Sequence, residues 1–184
     1  MSAPIWTIGH STRDLDEFLT LLAGSSIAHL ADVRRFPGSR RYPHFNAEAL
    51  AVSLGRAGIA YRHYGDLGGR RGKRAPGSPN NAWRVEAFNA YADFMDTPEF
   101  ASALDDLTAR ARDARTAVMC SEAVPWRCHR RLIADALTVR GWTVRDIISP
   151  TKVEPHTLTE FARVEGLRLT YSAGPLFREG DDTT

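Results

Sequence analysis

A chain of 184 residues, 43% hydrophobic, 25% charged and 9% aromatic, matches one ordinary globular domain large enough to bury a core. This composition excludes a disordered or fibrous chain, and the lack of 18 consecutive apolar residues excludes a membrane-spanning segment. The net charge is only +2, yet residues 32–74 hold ten basic groups against three acidic ones, so that segment carries +7 and the remainder −5.

The expected elements alternate along the chain. Residues 4–9 read as a short buried strand that stops at Gly9. A helix follows, with Leu15, Phe18, Leu19 and Leu22 on its apolar face, Ser11 or Thr12 as N-cap and Gly24 at its close. Residues 27–33 form a second strand ending at Asp32, Val33 and Arg34. A turn-rich loop comes next, and Asn46 then caps a helix reaching about Arg56. The Tyr-rich alternation of residues 59–64 predicts a third strand, and residues 70–81 are the least structured interior stretch. Helical patterns run over 83–95 and 98–112. Residues 116–119 make a fourth strand, 127–140 a helix stopped by Gly141, and 142–148 a fifth strand. A short helix is expected at 158–164 and a frayed end at 178–184. The fold class is therefore α/β, a mostly parallel five-stranded sheet flanked by helices. Residues 1–150 form one domain and 151–184 a C-terminal extension.

In such sheets ligands bind beyond the carboxyl ends of the strands. Here those ends carry Gly9-His10-Ser11, Asp32-Val33-Arg34, Gly65-Asp66-Leu67-Gly68-Gly69 and Cys120-Ser121-Glu122, with Cys128 and His129 opening the next helix. Loading one rim with His, Asp, Arg, Cys and Glu serves chemistry better than packing. The Gly9–Ser11 turn before a helix is an anion cradle or simply a cap. The arginine pairs Arg34-Arg35 and Arg40-Arg41 and the run from Arg70 to Arg74 favour bidentate contact with phosphate or carboxylate over a merely solvated face.

The segment from Cys120 to Arg130 supports several readings. Cys120 is a nucleophile activated by nearby arginines and a helix N-terminus. Six residues separate it from Arg127, one more than the phosphatase-type loop has, so that likeness is weak. Alternatively Cys120, Cys128 and His129 bind a metal, although C-x7-C-H is not a standard zinc spacing. The thiols form a redox pair if the sulfurs approach, or both are small buried fillers. Asp32, Asp66 and Glu122 serve as acid/base groups or pair with adjacent arginines.

Taken in order, Ile8-Gly9-His10-Ser11, Asp32-Val33-Arg34 with Pro37-Gly38-Ser39-Arg40, Leu67-Gly68-Gly69, Cys120-Ser121-Glu122 and Cys128-His129-Arg130 resemble domain-of-unknown-function family 488 over about residues 5–150. The resemblance implies a compact bacterial and archaeal α/β domain whose pattern includes both cysteines and the His-Arg after the second. It implies no reaction. The expectation is an enzyme acting on an anionic substrate, either phosphorylated, a nucleotide or nucleic-acid-derived. Catalytic candidates are Cys120, Glu122, His10, Asp32, Cys128 and His129; anion-binding candidates are Ser11, Arg34, Arg40, Gly68, Gly69 and Arg130. No cofactor or metal is indicated. The rival is a nucleic-acid-binding module in which the 34–74 arginines track phosphates and Tyr42, Phe45, Tyr61 or Trp83 stack on bases. With two cysteines and no export signal, a reducing cytoplasm is the expected location.

Overall fold

Strands covered on both faces read as unbroken apolar runs, and β1 (Ile5–Gly9), β2 (His29–Asp32) and β4 (Thr116–Cys120) are buried at every position. With β3 (Ala60–His63), β5 (Val144–Ser149) and β6 (Lys152–Pro155) they form one sheet of order β3-β2-β4-β1-β5-β6. The first five strands run parallel, and β6 returns antiparallel on β5. The computed structural model describes residues 4–174, so the fraying expected at 178–184 lies outside the described residues.

Helices cover both faces. On one, α1 (Leu15–Gly24) and α2 (Ala47–Arg56) bury Phe18, Leu22, Leu50 and Leu54 against Trp6, Ile8, Leu30 and Met119. On the other, α3 (Glu86–Phe94), α4 (Pro98–Asp113) and α5 (Arg130–Val139) pack Tyr91, Leu104, Leu107 and Leu132 against Ile5, Ala31, Val118 and Val144. This second core also takes Leu169 and Tyr171 from a hairpin, β7 (Ala162–Glu165) and β8 (Arg168–Tyr171). Among the described residues no helix is long and apolar enough to cross a membrane.

The sheet has six strands where five were expected. Every residue of β6 is exposed, so this edge strand lacks the apolar run that marks its neighbours. The helix expected at 158–164 is instead a turn leading into β7, whose pairing with β8 closes over Gly166 and Leu167. The first helix is capped by Asp14, whose carboxylate accepts the Glu17 amide at 2.7 Å, and not by Ser11 or Thr12. Ser11 holds φ 50°, outside the extended backbone an N-cap adopts, and its amide is tied to the Ser121 carbonyl at 2.9 Å. The helix expected from 127 begins at Arg130, after a 3₁₀ turn at Pro125–Arg127. Likewise α3 begins at Glu86, because Asn89 bonds both the amide and the carbonyl of Trp83 and holds it outside the helix.

Candidate active site

Side chains alternate between the faces of a strand, so residues sharing one edge of a sheet need not share a site. Cys120 continues the Val118 side of β4, beneath α5. Asp32 continues the Leu30 side of β2, over α1 and α2. The polar residues at the carboxyl edge thus divide into two clusters, one on each face.

The first cluster is built around two thiols. Cys120 ends β4 and Cys128 stands two residues before the start of α5; both are buried and free. Arg130, fully buried, donates from Nη1 to Cys120 Sγ at 2.8 Å and to the Glu122 carbonyl at 2.6 Å, and from Nη2 to the Ala123 carbonyl at 3.1 Å. Its backbone amide points at Cys128 Sγ, 3.4 Å away. Burial pushes the Cys120 thiol up, but a hydrogen bond from Cys128 and the Arg130 guanidinium outweigh it and bring the thiol down to about 7. Cys128 moves the other way, well above the usual thiol range, through burial and the thiolate beside it. Of the two thiols, Cys120 therefore gives up its proton first, while Cys128 keeps its own.

His129 completes this cluster. Its Nε2 lies 3.1 Å from the Val33 carbonyl, which assigns the proton to Nε2 and leaves the Nδ1 lone pair 3.5 Å from Cys128 Sγ. Burial holds its pKa down at about 4, so the ring is neutral near pH 7. Gly68 and Gly69 thread closely beside it. A Cβ on Gly68 would fall 2.7 Å from Arg35 Cα, and one on Gly69 3.1 Å from His129 Nδ1. Gly9 is as constrained, because a Cβ there would run into the Glu122 carbonyl that Arg130 holds.

The second cluster is closed on itself. Arg34 grips Asp32 bidentately, at 2.9 Å from Nε and 2.6 Å from Nη2, and also donates to the Phe45 carbonyl at 2.8 Å. Asp32 also accepts the Tyr61 hydroxyl at 2.7 Å. His10 stacks on Phe45 with ring centroids 4.3 Å apart and accepts from Arg34 Nη1 at 3.3 Å. Burial lowers the His10 pKa to about 4 as well. Of the five N–H groups of Arg34, these contacts leave one, on Nη1, without a partner.

A cavity of about 440 Å³ opens over the thiol cluster. It is lined by Cys120, Cys128 and His129, by Glu122 and Gly69, and by Arg34. Three more arginines, Arg35, Arg70 and Arg127, stand around it, and none forms an ion pair among the described residues. Arg70 holds φ 62°, a left-handed backbone that a non-glycine residue adopts at a cost. A larger hollow of about 940 Å³ lies against β3 and α4, where Arg62 pairs with Asp106 at 2.6 Å. It contains no thiol.

Several expected site residues stand elsewhere. Arg40 is exposed and does not line the cavity. Arg130 has its donors occupied inside the protein, where it serves the thiolate and not a ligand. His10 and Asp32 brace Arg34 from the opposite face. The amides of His10 and Ser11 bond to the Cys120 and Ser121 carbonyls, which closes the turn as a cradle. Gly68 packs on Arg35. Of the aromatics, Phe45 is buried beneath His10, and the exposed ring on the cavity rim is Phe36.

The structure adds residues the sequence reading passed over. Behind Arg130, Nε donates to Thr7 Oγ1 at 3.1 Å, and Thr7 donates to Asp146. His156 joins Asp146, at 3.3 Å, to the fully buried Asp135, at 2.8 Å, which also accepts the Tyr171 hydroxyl at 2.9 Å. Thr7 inside the apolar run of β1 was the available signal, since buried polar groups require partners. Among the described residues no three His, Cys, Asp or Glu side chains gather into a metal-holding group.

Over residues 14–137 the chain matches the family model described as Domain of unknown function DUF488. No curated protein and no solved structure matches it.

Proposed function

The chain belongs to the DUF488 family, and from that premise we propose that it is an enzyme using the Cys120 thiolate as nucleophile on an anionic, phosphorylated or nucleotide-type substrate. One observation carries this reading: a thiol with its own buried counter-ion opens into a cavity where Arg35, Arg70 and Arg127 form no ion pair among the described residues. Arg130 neutralises the nucleophile, so Arg35, Arg70, Arg127 and the free Arg34 N–H remain for the substrate's charge. Glu122 lines the cavity with an exposed carboxylate and acts as the acid/base. His129 acts through Cys128. The reducing cytoplasm expected from the sequence keeps both thiols available.

Charged and neutral alkylating agents test this directly. Iodoacetate labels Cys120 faster, relative to iodoacetamide, than it labels a free thiol, with a reactivity midpoint near pH 7. Inorganic phosphate or a nucleoside monophosphate protects Cys120. Equal preference for the two reagents and no protection by either anion defeat the proposal.

A second reading, a nucleic-acid-binding surface on the 34–74 arginines, draws support from Phe36, whose ring is 68% exposed on the cavity rim beside Arg35. Affinity for a labelled single-stranded oligonucleotide should then fall steeply with salt. Salt-independent or absent binding removes that reading.

A further inference from the structure

We infer that Cys120 and Cys128 form a reversible dithiol–disulfide couple that reduces small hydroperoxides. The inference shares the Cys120 thiolate with the function proposed above but not its anionic substrate. Both sulfurs contact one residue: the guanidinium of Arg130 holds Cys120 and its amide points at Cys128. The two thiols are near enough to shift one another's titration in opposite directions, Cys120 down and Cys128 up. Residues 121–127 separate them, a segment without regular helix or strand apart from the short turn at Pro125–Arg127, so closure strains no core element. Cys128 itself is extended, at φ −135° and ψ 145°. Both thiols face the same cavity, whose volume of about 440 Å³ admits a small peroxide without rearrangement.

The chemistry balances in two steps. The Cys120 thiolate attacks the terminal oxygen of a hydroperoxide; an S–O bond forms, the O–O bond breaks, and the alkoxide or hydroxide that leaves takes a proton from water. Cys120 is now a sulfenic acid, oxidised by two electrons, and the peroxide is reduced by two. Cys128 sulfur then attacks Cys120 sulfur. The S–S bond forms, the S–O bond breaks, and the hydroxide leaves as water on taking the Cys128 proton, passed through His129 Nδ1 at 3.5 Å. A small dithiol such as dithiothreitol restores both thiols by exchange. Cys128 is thus a resolving residue, placed by its contact with Arg130 and the neutral tautomer of His129.

Treating the reduced full-length chain with a small excess of hydrogen peroxide tests the couple. Both free thiols should disappear, the monomer mass should fall by two hydrogens, and dithiothreitol should reverse the change. In Cys128→Ser the disulfide is lost, and Cys120 instead accumulates as a sulfenic acid that a cyclic 1,3-dione traps as one adduct. Because the wild-type result needs no variant, misfolding of Cys128→Ser cannot mask the outcome. Persistence of both thiols overturns the inference. So does oxidation of Cys120 to the sulfinic acid with Cys128 still free, or a disulfide between two chains. If the couple fails while anions still protect Cys120 from alkylation, the nucleophile stands alone. If the couple forms without anion protection, the substrate reading falls and the redox one remains.

Discussion

Arg130 shows how one side chain can hold a site without touching a ligand. Its guanidinium is wholly buried, yet it donates to one thiolate, one hydroxyl and two carbonyls, so few of its hydrogens are left bare. Replacing it by Met removes the counter-ion and leaves the Glu122 and Ala123 carbonyls without their donor. We expect Arg130→Met to move the alkylation midpoint of Cys120 up toward the ordinary thiol value of about 8.5. Stability should fall by on the order of 3 kcal/mol, the scale for removing one partner of a buried charge pair. Thiol-labelling rates against pH and urea unfolding report the two effects separately. A midpoint still near 7 would show that Cys128, and not Arg130, sustains the thiolate.

At the scale of elements, the C-terminal segment is tied to the parallel sheet by charge as much as by pairing. His156 follows β6 and bridges Asp146 on β5 to Asp135 on α5, while Tyr171 of β8 closes the far side of Asp135. Burial on its own pushes an imidazole down, but the hydrogen bonds to the two carboxylates raise His156 to about 9, so it is a cation under ordinary conditions. Ending the chain at residue 150 strips both acids of that cation and opens the core around α3 and α5. Losses of about 3–5 kcal/mol for each stranded charge approach the whole stability of a domain. Such a truncation should therefore show no cooperative melting transition by circular dichroism. A sharp transition would mean that the extension only decorates the fold.

The same elements mark where the sequence was legible. The strands at the middle of the sheet announced themselves because both their faces are buried, which leaves apolar runs such as Ile5, Trp6, Ile8 and Ala117, Val118, Met119. Exposed β6 has no such run, and the apolar residues of β7 and its approach imitate a helical spacing, so both escaped. The gathering of polar residues at one edge of the sheet was legible, because they follow strand ends. Their division into two clusters was not, since the face each strand end presents depends on sheet order and register. Arg35, Arg70 and Arg127 were visible only as members of basic runs, and the cavity alone singles them out.

For the molecule as a whole, the histidines bound the pH range of stability from both sides. His10 and His129 are buried neutral, at about 4, whereas an unfolded chain binds their protons near 6.5. Their contribution is complete above about pH 6.5 and is lost as pH falls toward 4, on the order of 2–3 kcal/mol apiece. His156 has the opposite sign. Its raised value stabilises the fold fully below about 6.5, and that gain disappears as pH rises through about 9. Cys120, lowered to about 7, offsets this alkaline loss because the folded chain gives up a proton the unfolded one keeps. Urea unfolding of Cys120→Ser should accordingly show its maximum near pH 6.5 and decline on both sides. A flat profile from pH 6.5 to 9.5 would mean that the Asp135–His156–Asp146 bridge is not charged.

The place of β1 in the sheet governs the order in which a growing chain can mature. Synthesis delivers β1 first, but its neighbours on either side are β4 and β5, so Ile8 waits unpartnered until Met119 and Ile147 have left the ribosome. The parallel pair β2 and β3 can meet much earlier, yet the edge of β2 that later receives β4 stays open as well. Both cysteines also arrive only with that late half. A nascent chain therefore carries two apolar strands with three open edges in need of shielding through most of its translation, and its two cysteines can share no cavity until the insertion of β4 joins its two halves.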